Sequence, residues 1–170
     1  IKIDSRGPIF FRQVRAGRGN TEFKLIKFRS MYRDAEERKR QFERENEAQD
    51  EVMFKIKRDP RITRVGRFLR RSSLDEIPQL FNVLTGEMSL VGPRPLILKE
   101  AKEANKSWYA RRLDLRPGIT GLWQVSGRSD LPFEEMVSFD YQYVSGWSLA
   151  RDVEILLATI PVVISGRGAY

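Results

Sequence analysis

"PIFFRQVRAGRGNTEFKLIKF", Pro8 to Phe28, decides between an all-helical chain and a mixed one. Phe10, Arg12 and Val14 fall on one face of a strand, and Ile9, Phe11 and Gln13 on the other. "AGRGN" supplies the turn glycines. The second run, rich in Phe, Leu and Ile, returns as the partner strand. A β-hairpin is therefore expected over residues 8–28. Two uses for it stay open. It is a plain ribbon packed on helices, or a ribbon whose Arg12, Arg15 and Arg18 hold phosphate.

Around this ribbon the chain reads as helix. Residues 34–51 are almost wholly polar, with opposite charges at three- and four-residue spacing, which predicts a solvated helix inside a polar insertion over 34–58. In "KIKRDPRITRVGRFLRRSS", Lys55, Lys57, Arg58, Arg61, Arg64, Arg67, Arg70 and Arg71 crowd a span whose only acid is Asp59. Ile62, Val65, Phe68 and Leu69 recur at helical spacing, which predicts a basic amphipathic helix over 61–71. Such a helix suits an anionic membrane surface, a phosphate site or a solvated outer face. "GPRP", residues 92–95, must be extended or turn. "RPGITGLWQVSGR", residues 116–128, reads as loop, strand and loop. Residues 133–145 and 148–164 read as two helices, the second with Leu149, Val153, Leu156, Leu157, Ile160 and Val163 on one broad apolar face. The class is α+β: one compact, mainly helical domain over 1–170, with a β-hairpin and amphipathic membrane-surface helices.

Composition narrows the chemistry. The 170 residues carry 31 Lys and Arg against 23 Asp and Glu, a net charge of +8. That favours an anionic partner: nucleic acid, acidic lipid or a phosphorylated small molecule. With no cysteine and no histidine, thiol catalysis, disulfides, Ser-His-Asp chemistry and His- or Cys-ligated zinc are all excluded. Catalysis must rest on Asp, Glu, Lys, Arg, Tyr or Ser, and any metal must be a hard cation held by oxygens. No stretch approaches the roughly 20 apolar residues that span a bilayer. A chain that begins at Ile1, without initiator Met or signal peptide, is read as part of a longer protein.

One segment gathers the required groups. "RFLRRSSLDEIPQLFNVLTGEMSLVGPRP", Arg67 to Pro95, sets adjacent carboxylates, Asp75 and Glu76, behind a run of arginines. Ser73-Leu74-Asp75-Glu76 fits a capping box, which would explain Glu76 structurally. Pro78 argues for a later helix start, with the dyad in the entry turn; either way the pair would sit at a helix N-terminus that favours anions. A carboxylate beside Arg70 and Arg71 should stay ionised at neutral pH, and it needs no His base to attack phosphorus. The pieces are compatible with phosphoryl transfer through an aspartyl phosphate, Mg²⁺ and arginines screening the charge.

"SRGPIFFRQVRAGRGNTEFKLIKFRSM", "DPRITRVGRFLRRSSLDEIPQLFNVLTGEMSLVGPRPL" and "LRPGITGLWQVSGR" together resemble the bacterial sugar transferase family, the monotopic polyprenyl-phosphate phosphoglycosyl transferases. The polar insertion and the ending "SGRGAY" resemble its longer members, of which this would be the C-terminal catalytic domain. The resemblance implies transfer of sugar-1-phosphate from a UDP-sugar to undecaprenyl phosphate with release of UMP. This is the first membrane step of exopolysaccharide, O-antigen or capsule synthesis. It implies Asp75 as nucleophile and Glu76 as its assistant, both at bound Mg²⁺, and Pro93-Arg94-Pro95 as a nucleotide-side determinant. Lys27, Arg29, Arg70, Arg71, Arg116 and Arg128 follow as phosphate or uridine contacts, and Asp140 and Asp152 as matching acidic positions. It further implies the bacterial inner (plasma) membrane with the catalytic domain on the cytoplasmic face, a membrane-surface contact, no nucleic-acid partner, and allowance for a homo-oligomer. A basic module binding nucleic acid or anionic membrane without catalysis is the alternative; nucleic-acid binding leaves "LDEIPQLFNVLTGEMSLVGPRP" unexplained, and membrane binding need not compete with the transfer reaction. UDP-glucose, UDP-galactose and N-acetylated donors all stay open.

Overall fold

The computed structural model describes residues 1–46, 53–54, 56, 58–104, 108–128, 131–166 and 168. The hairpin forms where alternation places it. β1 (Phe10–Ala16) and β2 (Glu22–Phe28) pair antiparallel, from Phe10↔Phe28 to Ala16↔Glu22. Gly17 N–H closes the turn on the Thr21 carbonyl at 2.7 Å, and Gly19 takes φ 62°, an angle that costs glycine little. Partners in this register share a face, so Phe11, Gln13 and Arg15 lie on the same side as Lys27, Leu25 and Phe23. Leu25 and Phe23 are buried, which makes that the inward side, while Phe10 stacks on Phe28 at 5.5 Å on the open one.

The polar stretch begins as α1 (Ala35–Lys39) and continues as a 3₁₀ segment, Arg40–Glu45. Residues 47–52, 55 and 57 of the expected insertion lie outside the described residues. Its far end is not solvated, since Met53 and Ile56 are buried. The basic helix, α2 (Arg64–Arg71), starts at Arg64 because Thr63 caps it: Thr63 Oγ1 accepts from Gly66 N–H at 2.9 Å. Arg61 therefore leaves the expected basic face. It is buried, forked on Asp59 at 2.6 and 2.9 Å and 4.7 Å from the Phe54 ring, the pairing that a desolvated guanidinium requires.

Among the described residues five more α-helices and a second sheet follow: α3 (Gln79–Leu84), α4 (Leu98–Ala104), α5 (Leu122–Ser126), α6 (Phe133–Ser145) and α7 (Leu149–Ser165). β3 (Ser89–Val91) and β4 (Gly118–Thr120) pair in parallel. After β4 the chain is helical rather than looped, since α5 buries Trp123 among Ala16, Leu96, Met136 and Val137. That cluster ties the hairpin's end to α5 and α6, and Val91, Tyr143 and Ile155 tie α7 to β3. The fold is thus α+β, with strands confined to two small sheets. Leu149, Val153, Leu156, Leu157 and Ile160 of the expected apolar face stay exposed. No helix among the described residues is long and apolar enough to cross a membrane.

Gly66 lets α2 touch the chain leaving β2, for a Cβ placed there would lie 1.8 Å from the Ser30 carbonyl oxygen. Gly66→Ala is expected to cost about 1–3 kcal/mol, the scale of overpacking, read as a lowered Tm. An unchanged Tm would mean that α2 does not sit this close.

Candidate active site

Ser73 takes a left-handed φ of 55°, and a single 3₁₀ turn, Leu74–Glu76, carries the dyad into Pro78 and α3. The capping box does not form. Ser73 caps nothing and its Oγ accepts from Arg128 Nη2 at 3.2 Å, while Glu76 Oε1 takes Lys27 Nζ at 2.5 Å. The later helix start is the one observed. α3 has only six residues, too short for a macrodipole to govern the site; side-chain charge does.

Asp75 is buried at 7 % exposure and makes no hydrogen bond or ion pair with another described side chain. Burial pushes its carboxyl up from the ordinary aspartate value and the Glu76 charge adds to this, while Lys27 and Arg70 pull it back. For Glu76, burial also disfavours the charge. The charge and hydrogen bond of Lys27, with Arg94 and Arg128 behind, outweigh it and hold the carboxyl below the usual glutamate value. Adjacent carboxylates thus differ: one paired and firmly anionic, the other unpaired and raised. They open on a cavity of about 1450 Å³ lined also by Arg15, Arg70, Arg94, Arg128, Trp123 and Gln124, larger than the ~300–1,000 Å³ of a single-ligand pocket.

Lys27, Arg70, Arg94, Pro95 and Arg128 join the dyad at this cavity. Arg70 is anchored by Nε on Ser30 Oγ at 2.9 Å. Arg29 lines the cavity too, but its guanidinium donates to the Pro8, Ser5 and Met31 carbonyls and to Ser5 Oγ at 2.5–3.2 Å. It fastens the N-terminal segment instead of presenting a fork. Pro93 is buried behind the wall, its carbonyl accepting from Gly118 N–H at 2.9 Å. Arg71, Arg116 and Asp152 are not brought to the cavity. Arg71 follows Arg70 by the ~100° step of a helix and its Cγ packs at Gly166. Arg116 is exposed on the approach to β4. Asp152, in the first turn of α7, accepts from Tyr143 OH at 2.6 Å.

Asp140 is 1 % exposed and touches only protein. Its two oxygens each accept from Arg94 N–H at 3.2 Å, and it pairs with Arg112, whose Nη2 donates to the Arg94 carbonyl at 2.6 Å. It positions the Pro93–Pro95 loop from behind. Burial pushes this carboxyl up and Arg112 draws it back. Sequence reading missed Arg112, because its partner is 28 residues away and no local pattern joins them. It also missed Trp123, whose ring lies 4.8 Å beneath the Arg94 guanidinium. The signal available was the one aromatic in a glycine-flanked segment.

The family profile of bacterial sugar transferases matches residues 1–166. This chain belongs to the bacterial sugar transferase family. It is 48% identical to the galactosyl transferase CpsE of Streptococcus agalactiae, over 96% of this chain and 36% of that protein. It is also 48% identical to the UDP-galactose-lipid carrier transferase of Erwinia amylovora, over 100% of this chain and 36% of the relative. The exopolysaccharide production protein ExoY of Rhizobium meliloti is 43% identical over 100% of this chain and 76% of its own length. This family member thus spans about a third of the first two relatives.

Proposed function

We propose that this domain transfers sugar-1-phosphate from a UDP-sugar to undecaprenyl phosphate through a phosphosugar carried on Asp75. The observation that carries this is Asp75 itself, a buried carboxylate that no described side chain pairs, on a cationic cavity, in a chain without His or Cys. An Asp75 oxygen attacks the β-phosphorus, and the bond to the bridging oxygen breaks. UMP leaves with that electron pair. A phosphate oxygen of the lipid then attacks the same phosphorus and displaces Asp75. Lys27 neutralises Glu76 and offsets the repulsion between Asp75 and the incoming phosphate. The relatives' names, including an undecaprenyl-phosphate galactose phosphotransferase of Salmonella typhimurium, support a lipid carrier and make UDP-galactose the first donor to test.

Among the described residues no group of three or more acidic side chains gathers. The residues that would hold a hard ion at this cavity are Asp75 and Glu76, completed by substrate phosphates, which is how Mg²⁺ is held in nucleotide sites. When bound, Mg²⁺ would supply charge neutralisation for the transferring phosphoryl group. Exposed Phe81, Leu84, Leu157 and Ile164, with the exposed arginines of α2, favour a seat on the cytoplasmic face of a bacterial plasma membrane.

The test is UMP release by the full-length protein with undecaprenyl phosphate and a panel of UDP-galactose, UDP-glucose and N-acetylated donors, with and without chelator. Expected are UMP formation dependent on one donor and its loss with chelator. No UMP from any donor would overturn the reading.

A further inference from the structure

Arg15 lines the cavity but has no part in the transfer steps described above. It projects from the inward face of β1, its Nη1 donating to the Pro95 carbonyl at 3.1 Å and its Nη2 to Gln13 Oε1 at 2.6 Å. No acidic side chain forms an ion pair with it among the described residues. Burial, and next the charge of Arg94, push its guanidinium down to about 10, so it remains a cation at neutral pH. Arg94 lies over Trp123 and its guanidinium makes no hydrogen bond or ion pair among the described residues. Two like charges are thus held near one another, with the Glu100 and Glu76 charges acting on Arg15 but no carboxylate ion-paired with either guanidinium among the described residues. An anion between the two would relieve their repulsion.

A second observation concerns the same wall. Three buried side-chain polar atoms among the described residues have no hydrogen-bond partner: Arg15 Nε, Trp123 Nε1 and Gln124 Oε1. All three residues line the one cavity. Such orphans are uncommon in folded proteins, and their concentration marks an arm of the cavity that a ligand completes. The ligand must bring acceptors for Arg15 and Trp123 and a donor for Gln124 Oε1. A phosphate monoester dianion has no donor. A nucleoside has both, in its ribose hydroxyls and its base.

The arm also has a place. Arg15 is held on the Pro95 carbonyl at 3.1 Å and Arg94 lies 4.8 Å over Trp123, so the arm is built on the Pro93–Pro95 loop, whereas Lys27 is held on Glu76 and Arg70 on Ser30 Oγ. We propose that Arg15 acts with Arg94 to hold the phosphate of the departing nucleotide, with Trp123 and Gln124 facing its nucleoside. This rests on the transfer reaction above. It adds Arg15, Trp123 and Gln124 as contacts of the leaving group, distinct from the lipid phosphate.

The experiment uses the full-length protein in detergent carrying Asp75→Asn, so that nothing turns over. UMP, uridine and a short-chain polyprenyl phosphate are titrated calorimetrically against it, with and without Arg15→Met or Arg15→Lys. Arg15→Met is expected to weaken UMP about tenfold or more, the scale of a lost charge-assisted contact, and to leave uridine and the polyprenyl phosphate within twofold. Arg15→Lys, which keeps the charge but not the fork, should fall between. UMP binding within twofold of the parent overturns the proposal. Equal losses for UMP and uridine also overturn it, since the arginine would then merely prop the Pro93–Pro95 loop. A loss confined to the polyprenyl phosphate assigns the arm to the lipid carrier and overturns it too. These titrations do not depend on Asp75 being the nucleophile, so a failure of the transfer reaction is seen separately, as absent UMP release.

Discussion

Asp75→Asn is expected to lower transfer by roughly 10³-fold or more, the order lost with a covalent nucleophile, while leaving Tm unchanged or higher. The amide matches the carboxylate in shape but has no charge and attacks phosphorus poorly. The stability effect follows from linkage. Burial raises the Asp75 carboxyl in the folded state, so the ionised form is disfavoured there relative to the unfolded chain. Above the folded pKa the wild type carries that penalty, together with repulsion from Glu76. As pH falls through the folded pKa the penalty disappears. The amide has no side-chain partner to replace among the described residues, and the one hydrogen bond on the carboxylate, from the residue's own backbone N–H, can be kept by the amide oxygen. The Tm advantage of Asp75→Asn should therefore be present at neutral pH and shrink as pH falls through the folded Asp75 value toward the unfolded one. UMP release and thermal unfolding on the same preparations check both halves. Retained turnover would remove Asp75 as nucleophile. A marked loss of stability would mean that its carboxylate serves the fold.

The hairpin was legible because alternation and turn glycines are local signals, and the dyad because a chain without His or Cys offers few other groups for phosphate chemistry. What escaped was decided across the chain. Arg29 and Arg70 look alike in sequence and both line the cavity, yet the Arg29 guanidinium is spent on the Pro8 and Ser5 carbonyls while Arg70 is held by Nε alone, on Ser30 Oγ. Arg71 is lost to the site by one helical step. Arg61 looks like part of a basic helix face until Thr63 caps the helix after it. Ser73 looks like a cap because S-x-x-E is a local pattern, but Lys27, 49 residues away, takes Glu76 first. Helix α5 was hidden because its glycine-flanked sequence has weak local preference and the burial of Trp123 holds it. For Arg29, Glu76 and α5 a tertiary contact overrides a local propensity, while Arg61 and Arg71 are lost to a local cap and a single helical step.

Removing Asp140 should separate stability from substrate binding. Asp140 and Arg112 are 1 % and 2 % exposed and hold the Arg94 peptide from both ends, N–H on Asp140 and carbonyl on Arg112. Asp140→Ala leaves the Arg112 cation buried without its counter-charge, an expected loss of about 3–5 kcal/mol. For a chain of this size that is a Tm lower by roughly 6–20 °C. The loop carrying Arg94 also loses its anchor, so KM for the nucleotide sugar should rise in whatever protein remains folded. The double variant Asp140→Leu/Arg112→Met tells the two effects apart. It removes both charges, and apolar replacement of a buried pair is commonly neutral or stabilising, so Tm should recover most of the loss. It cannot replace the acceptor for Arg94 N–H or the donor for its carbonyl, so KM should stay high. Recovery of both would make the pair a core contact with no part in placing Arg94. Recovery of Tm alone would show that a buried ion pair 28 residues apart in sequence is retained for the position of one loop, since the fold itself tolerates its replacement.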